Sequence, residues 1–147
     1  MSRTEMTART AVQKAALAIA AVFALVGIAG FIPGLTIDYD AMEFAGHESQ
    51  AMLLGVFMVS ILHNIVHLAF GVVGFLMART GNGAYWFLVG GSIVYLLLWL
   101  YGLLIDHESQ ANFVPLNNAD NWLHLLLGLG MIGLGLALGR RRTAGRR

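Results

Sequence analysis

The chain has 147 residues, of which 58% are hydrophobic and only 12% charged, with a formal net charge of +1 and no cysteine. One compact domain of this length keeps too much surface in water to hide so much apolar area, so part of that area must face lipid. The lack of cysteine excludes disulfides, thiolate metal sites and cysteine nucleophiles.

Four apolar stretches predict four transmembrane α-helices, over about residues 15–34, 51–77, 85–105 and 120–139, in a single membrane domain. Crossing the hydrocarbon core takes roughly 20 residues. The first stretch has the basic lead-in Arg3, Arg9 and Lys14 and is closed by Pro33-Gly34. Its apolar part exceeds the length of a cleaved leader, so it reads as a retained helix. The second, from Ala51 to Met77, is longer than one span needs, and tilt or an extra turn beyond the membrane surface is expected. The third starts near Tyr85 and Trp86, and the fourth near Trp122, aromatic residues that favour the membrane interface.

Charge sets the expected orientation. All Lys and Arg residues lie before the first stretch, between the second and third (Arg79), or after the fourth (Arg140 to Arg142, Arg146 and Arg147). The other two loops hold Asp38, Asp40, Glu43, Glu48, Asp106, Glu108 and Asp120 and no basic residue. Positive residues near helix ends stay inside, so a multi-pass plasma-membrane protein with both termini cytoplasmic is expected. The arginine-rich end reads as a topology anchor and a patch for anionic lipid, and is too short for nucleic acid.

A repeat runs through the chain. Residues 64–71 and 121–128 both read N-x-x-H-L-x-x-G, and His47-Glu48-Ser49-Gln50-Ala51 recurs as His107-Glu108-Ser109-Gln110-Ala111. The expected fold is therefore all-α: a four-helix transmembrane bundle built from two parallel-repeat helical hairpins, about 15–79 and 84–140, related by a pseudo-two-fold axis along the membrane normal.

Positions i, i+3, i+4 and i+7 share a helix face. Asn64, His67, Leu68 and Gly71 thus form one stripe, extended by Ser60 and His63, and Asn121, His124, Leu125 and Gly128 form its counterpart. Polar groups avoid lipid, so both stripes should face the interior. The second and fourth helices are expected to meet there, with Gly71 and Gly128 at the close contact. Gly135-x-x-x-Gly139 is suited to further packing, within the chain or in a dimer. His67 lies twelve residues before Arg79, and His124 sixteen before Arg140. At ~1.5 Å per residue these are roughly 18 and 24 Å above the inner boundary, in the outer half of the membrane.

Two chemistries compete for these residues. Interhelical hydrogen bonds from Ser60, Asn64, His67, Asn121 and His124 would fix register. Alternatively, His63, His67 and His124 form a metal set, or His67 and His124 hold a b-type haem. In the outer loops His47, Glu48, His107 and Glu108 have the ligand types for a divalent metal, but a solvated turn is the plainer expectation. No Walker loop, dinucleotide fingerprint, nucleophile elbow or zinc-protease motif occurs.

The runs from Val59 to Leu68, Tyr95 to Gly102, Ala111 to Pro115 and Ala119 to Leu125 resemble a family of four-helix membrane proteins common in actinobacteria. It is filed as domain of unknown function (DUF) four-three-eight-three. The resemblance spans nearly the whole chain and implies an actinobacterial plasma-membrane protein, without supplying an activity. The outer-loop His-Glu pairs stand apart from its pattern. The resulting expectation is a non-enzymatic structural or accessory protein without a cofactor, whose partners are the lipid bilayer and a second copy or a membrane subunit. A histidine-ligated metal or haem protein is the alternative. A transporter or permeation pathway ranks last, because four short helices leave little room for alternating access unless the protein oligomerises.

Overall fold

A computed structural model describes residues 9–144, with side chains through residue 139. The expected basic residues Arg3, Arg146 and Arg147 lie outside the described residues, and Arg140 to Arg142 are described by backbone alone. The described residues form four α-helices: α1 (Ala11–Ala29), α2 (Ile61–Met77), α3 (Gly81–Leu104) and α4 (Asn118–Ala144). Three of them, α1, α3 and the Asn118–Gly139 part of α4, are long and apolar enough to cross a membrane, while α2 is apolar but shorter.

Each helix starts on a side-chain cap. Thr10 and Gln13 form a reciprocal capping box at α1, Ser60 accepts the His63 amide at α2, and Thr80 accepts the Gly83 amide at α3. At α4, Asn117 Oδ1 accepts the Asp120 amide at 2.9 Å. These caps set boundaries a few residues from the apolar runs: α1 and α3 start four residues earlier than expected, at Ala11 and Gly81.

The second helix requires a larger correction. It begins at Ile61, not Ala51. Residues 51–58 instead enter a three-stranded antiparallel sheet of β1 (Thr36–Ile37), β2 (Met52–Leu53) and β3 (Phe57–Met58), in the order β1-β2-β3. Leu54 and Gly55 turn between β2 and β3 with φ of 54° and 69°. That left-handed turn breaks any helix running in from Ala51, so the expected extra helical turn is a hairpin cap.

α1 packs chiefly on α2 and α3 on α4; the two hairpins meet through α1 with α3, α2 with α3 and α1 with α4, the first being the most extensive, and α2 and α4 approach each other only marginally. The glycines expected to join α2 to α4 serve other pairs. Gly71 lies against Ala20 and Ala24 of α1, and Gly128 against Leu96 of α3. The small residue in each stripe brings its own hairpin partner close, because the neighbour joined by sequence is the one that lies alongside. Gly135 and Gly139 likewise face Leu88, Val89 and Tyr85 of α3, so this pair serves packing within the chain.

The ends of the bundle differ in charge. Gln13 Nε2 donates to Ala78 O at 3.0 Å and Arg79 O at 2.9 Å, which sets Lys14 beside the α2–α3 turn. Tyr85 against Gly139 brings the last turns of α4 to the same end. The acidic loops occupy the other end.

Candidate functional site: the buried imidazole and amide stripes

Both stripes are interior. Asn64 is 0% exposed, His67 4%, Asn121 5% and His124 3%, with Ser60, His63, Gly71 and Gly128 also buried. Their i, i+3, i+4 spacing puts them on the face of α2 that meets α1, and on the face of α4 that meets α3. Ser60 is the N-cap of α2, so its hydroxyl is committed to the His63 amide.

The two asparagines do the same thing in their respective hairpins. A Cβ at Gly30 would run into the Asn64 amide, and one at Gly102 into the Asn121 amide. Asn64 Nδ2 reaches Met42 Sδ at 3.8 Å. The two amide oxygens receive no N–H or O–H donor. Each faces the α-carbon of its glycine, the geometry of a weak Cα–H···O contact between closely packed helices.

The histidines sit among aromatic rings. His67 lies edge-on to Phe23, with ring centroids 5.6 Å apart and planes at 70°. His124 lies edge-on to Tyr95 at 5.3 Å and 68°. Phe23 and Tyr95 stack on each other at 5.1 Å and 18°, joining the hairpins. Tyr95 also meets His67 edge-on at 6.4 Å, and His63 adjoins His67 at 4.3 Å. The Nδ1 atoms of His63, His67 and His124 have no hydrogen-bond partner.

This packing bears on the cofactor expectations. Among the described residues, no three His, Cys, Asp or Glu side chains are grouped so as to hold a metal ion, so His63, His67 and His124 do not assemble the expected metal set. Tyr95 is 2% exposed and, with Phe23 stacked on it, packs against the imidazoles of both His67 and His124.

Asp120 is buried for another purpose. Its Oδ2 accepts the backbone amides of Asn117 at 3.0 Å and of Met58 in β3 at 3.1 Å, while Asn117 Nδ2 donates to Val56 O at 2.8 Å. The N-terminal box of α4 therefore closes the free edge of β3. In the acidic loops, an open cleft of about 290 Å³ is lined by Ala45, Gly46, His47, Glu48, Gln110 and Phe113, and Gly46 N donates to Phe113 O at 2.7 Å. His107 does not join it, because its Nε2 is bonded to Gly102 O at 2.8 Å, at the end of α3. The twin His-Glu pairs do not converge on one metal.

The stripes were visible in the sequence, but Phe23 and Tyr95 were not singled out. One signal could have found them: Phe23 precedes Gly30, and Tyr95 precedes Gly102, by the same number of residues. The buried positions Val12, Ala16, Ala20 and Phe23 of α1 have the spacing of Ala84, Leu88, Ser92 and Tyr95 of α3.

No curated protein and no solved structure matches the chain. A family model described as "Domain of unknown function (DUF4383)" matches residues 13–137, from the first turn of α1 well into α4. The match takes in both stripes and the rings between them, and the chain belongs to that family.

Proposed function

We propose that this is a non-catalytic, multi-pass plasma-membrane protein with a structural or accessory role, whose two hairpins descend from one duplicated unit and whose termini are both cytoplasmic. The observation that carries the proposal is the closed centre: Phe23 and Tyr95 fill the space between the two histidine-bearing helices, leaving the imidazoles to pack rather than to ligate. Duplication is supported by the equal spacing of buried positions on α1 and α3, and by the matched Gly30–Asn64 and Gly102–Asn121 contacts. Orientation is supported by Lys14 and Arg79 lying at one end, with acidic loops at the other. An accessory role implies a membrane subunit or a second copy as partner.

The competing reading, a histidine-ligated metal protein, draws on the three unpartnered Nδ1 atoms. Visible absorption and elemental analysis of protein purified in mild detergent separate the two. A colourless preparation without stoichiometric metal is expected; a haem band, or one metal per chain lost on replacing His67 and His124 with leucine, would refute the closed-centre reading.

A further inference from the structure

The second helix is too short for the job its neighbours do. Its 17 residues extend ~25 Å at about 1.5 Å per residue, against a hydrocarbon core of about 30 Å. The residues that would have lengthened it, 51–58, are all apolar except for Gly55, yet they fold into β2, β3 and their turn. The turn presents Leu54 outward at 62% exposure, with Val56 at 46% and Ile37 of β1 at 50% beside it. A hairpin tip in water favours Asn-Gly or Asp-Gly, whose polar side chains tolerate the left-handed region. Here a leucine holds φ of 54° with its side chain directed away from the protein.

An apolar hairpin can lie against lipid only if its backbone is satisfied. This one is. The edge of β3 is closed by side chains, Asp120 accepting from Met58 N and Asn117 donating to Val56 O. At the other edge, Thr36 N donates to Ile32 O at 3.0 Å, and its hydroxyl reaches the last carbonyls of α1, Ala29 O and Gly30 O, at 3.2 Å. The bonds to Asn117 and Asp120 also fix the level of the hairpin at the first turn of α4, where Trp122 is 66% exposed. A tryptophan at a helix end marks the headgroup boundary.

We infer that the β2–β3 hairpin is a lipid-contacting element: Leu54, Val56 and Ile37 rest in the headgroup–acyl boundary of the leaflet at the N-terminal end of α2, completing the short span without a helix. The inference rests on the membrane reading proposed above. Because the chain has no cysteine, single-cysteine variants give clean nitroxide labelling. Leu54→Cys, Val72→Cys and Glu108→Cys would be labelled in phosphatidylcholine–phosphatidylglycerol vesicles, and their collision rates with oxygen and with a neutral nickel chelate compared. Val72 is 56% exposed on α2 and serves as the lipid reference, while Glu108 in the second acidic loop is the water reference. The oxygen-to-nickel ratio at Leu54 is expected to be at least about threefold above that at Glu108 and to approach that at Val72. A Leu54 ratio equal to that of Glu108, with Val72 still oxygen-rich, overturns the inference and leaves the membrane reading standing. Shielding of Leu54 from both reagents overturns it too, by showing a protein contact. A Val72 ratio equal to that of Glu108 refutes the membrane reading and the inference with it. Should Leu54→Cys fail to fold, Val56→Cys reads the same surface.

Discussion

At the scale of single residues, each hairpin sets an amide side chain against a glycine so closely that an added Cβ would run into it. Asn64 lies on Gly30 and Asn121 on Gly102, each pair joining the two helices of one hairpin. In lipid, helices gain little from apolar burial against one another, so close backbone approach and packing carry their association. A methyl group at either glycine must displace a buried amide. Gly102→Ala is therefore expected to destabilise the protein by roughly 1–3 kcal/mol, the usual cost of overpacking. Unfolding followed in detergent micelles measures it. Alanine at Gly130 or Gly133, where an added Cβ meets nothing within 4 Å, should change stability by no more than ~0.5 kcal/mol. If steric conflict is the cause, Asn121→Ala should offset much of the loss, and the double variant will be more stable than the two single effects summed. Strict additivity would show that the contact is not the reason for the glycine.

Elements were legible where a period or a cap wrote them, and illegible where only hydropathy spoke. The N-x-x-H-L-x-x-G spacing identified the interior faces of α2 and α4, and Asn64, His67, Asn121 and His124 are all buried. It did not say what those faces touch, because a stripe fixes a direction on its own helix and nothing about its neighbour; hence the mistaken pairing of Gly71 with Gly128. The run from Ala51 to Val59 reads as helix on composition alone. Its fate depends on the Leu54-Gly55 turn and on hydrogen bonds to Asn117 and Asp120, about sixty residues on, and no local window contains these. The one local clue was Ser60, three residues before His63, at the spacing of a cap. The dependence of the cap on Asp120 is testable. Asp120→Ala strands the amides of Met58 and Asn117, each a loss of about 1 kcal/mol or more. Amide exchange should quicken in residues 51–58 and stay unchanged in the second half of α2. Uniform quickening along the chain would mean that Asp120 holds the bundle and not the hairpin.

For the whole molecule the question is what makes one bundle of two hairpins. Helices α2 and α4 carry the polar stripes but scarcely approach each other, and each of the main contacts between the hairpins involves α1 or α3, with α1 on α3 the most extensive. At its centre Phe23 and Tyr95 stack, each also edge-on to the histidine of its own hairpin. The arrangement makes the histidine rings walls of an aromatic core, and it explains why positions that read as ligands in the sequence can be structural in the fold. If the stack is the joint, its two rings must be energetically coupled beyond the area each buries, and stacked aromatic pairs couple by about 0.5–1.5 kcal/mol. The cycle Phe23→Leu, Tyr95→Leu and the double variant measures that coupling directly, with leucine retaining bulk so that cavity formation does not dominate. The double variant is expected to lose less stability than the single losses added, by that amount. The pairing of Phe23→Leu with His124→Leu, residues of different hairpins for which no ring contact is found, should show a smaller term. Equal coupling in both cycles would mean that the hairpins respond to a general loosening of the core, and that the Phe23–Tyr95 stack does not join them.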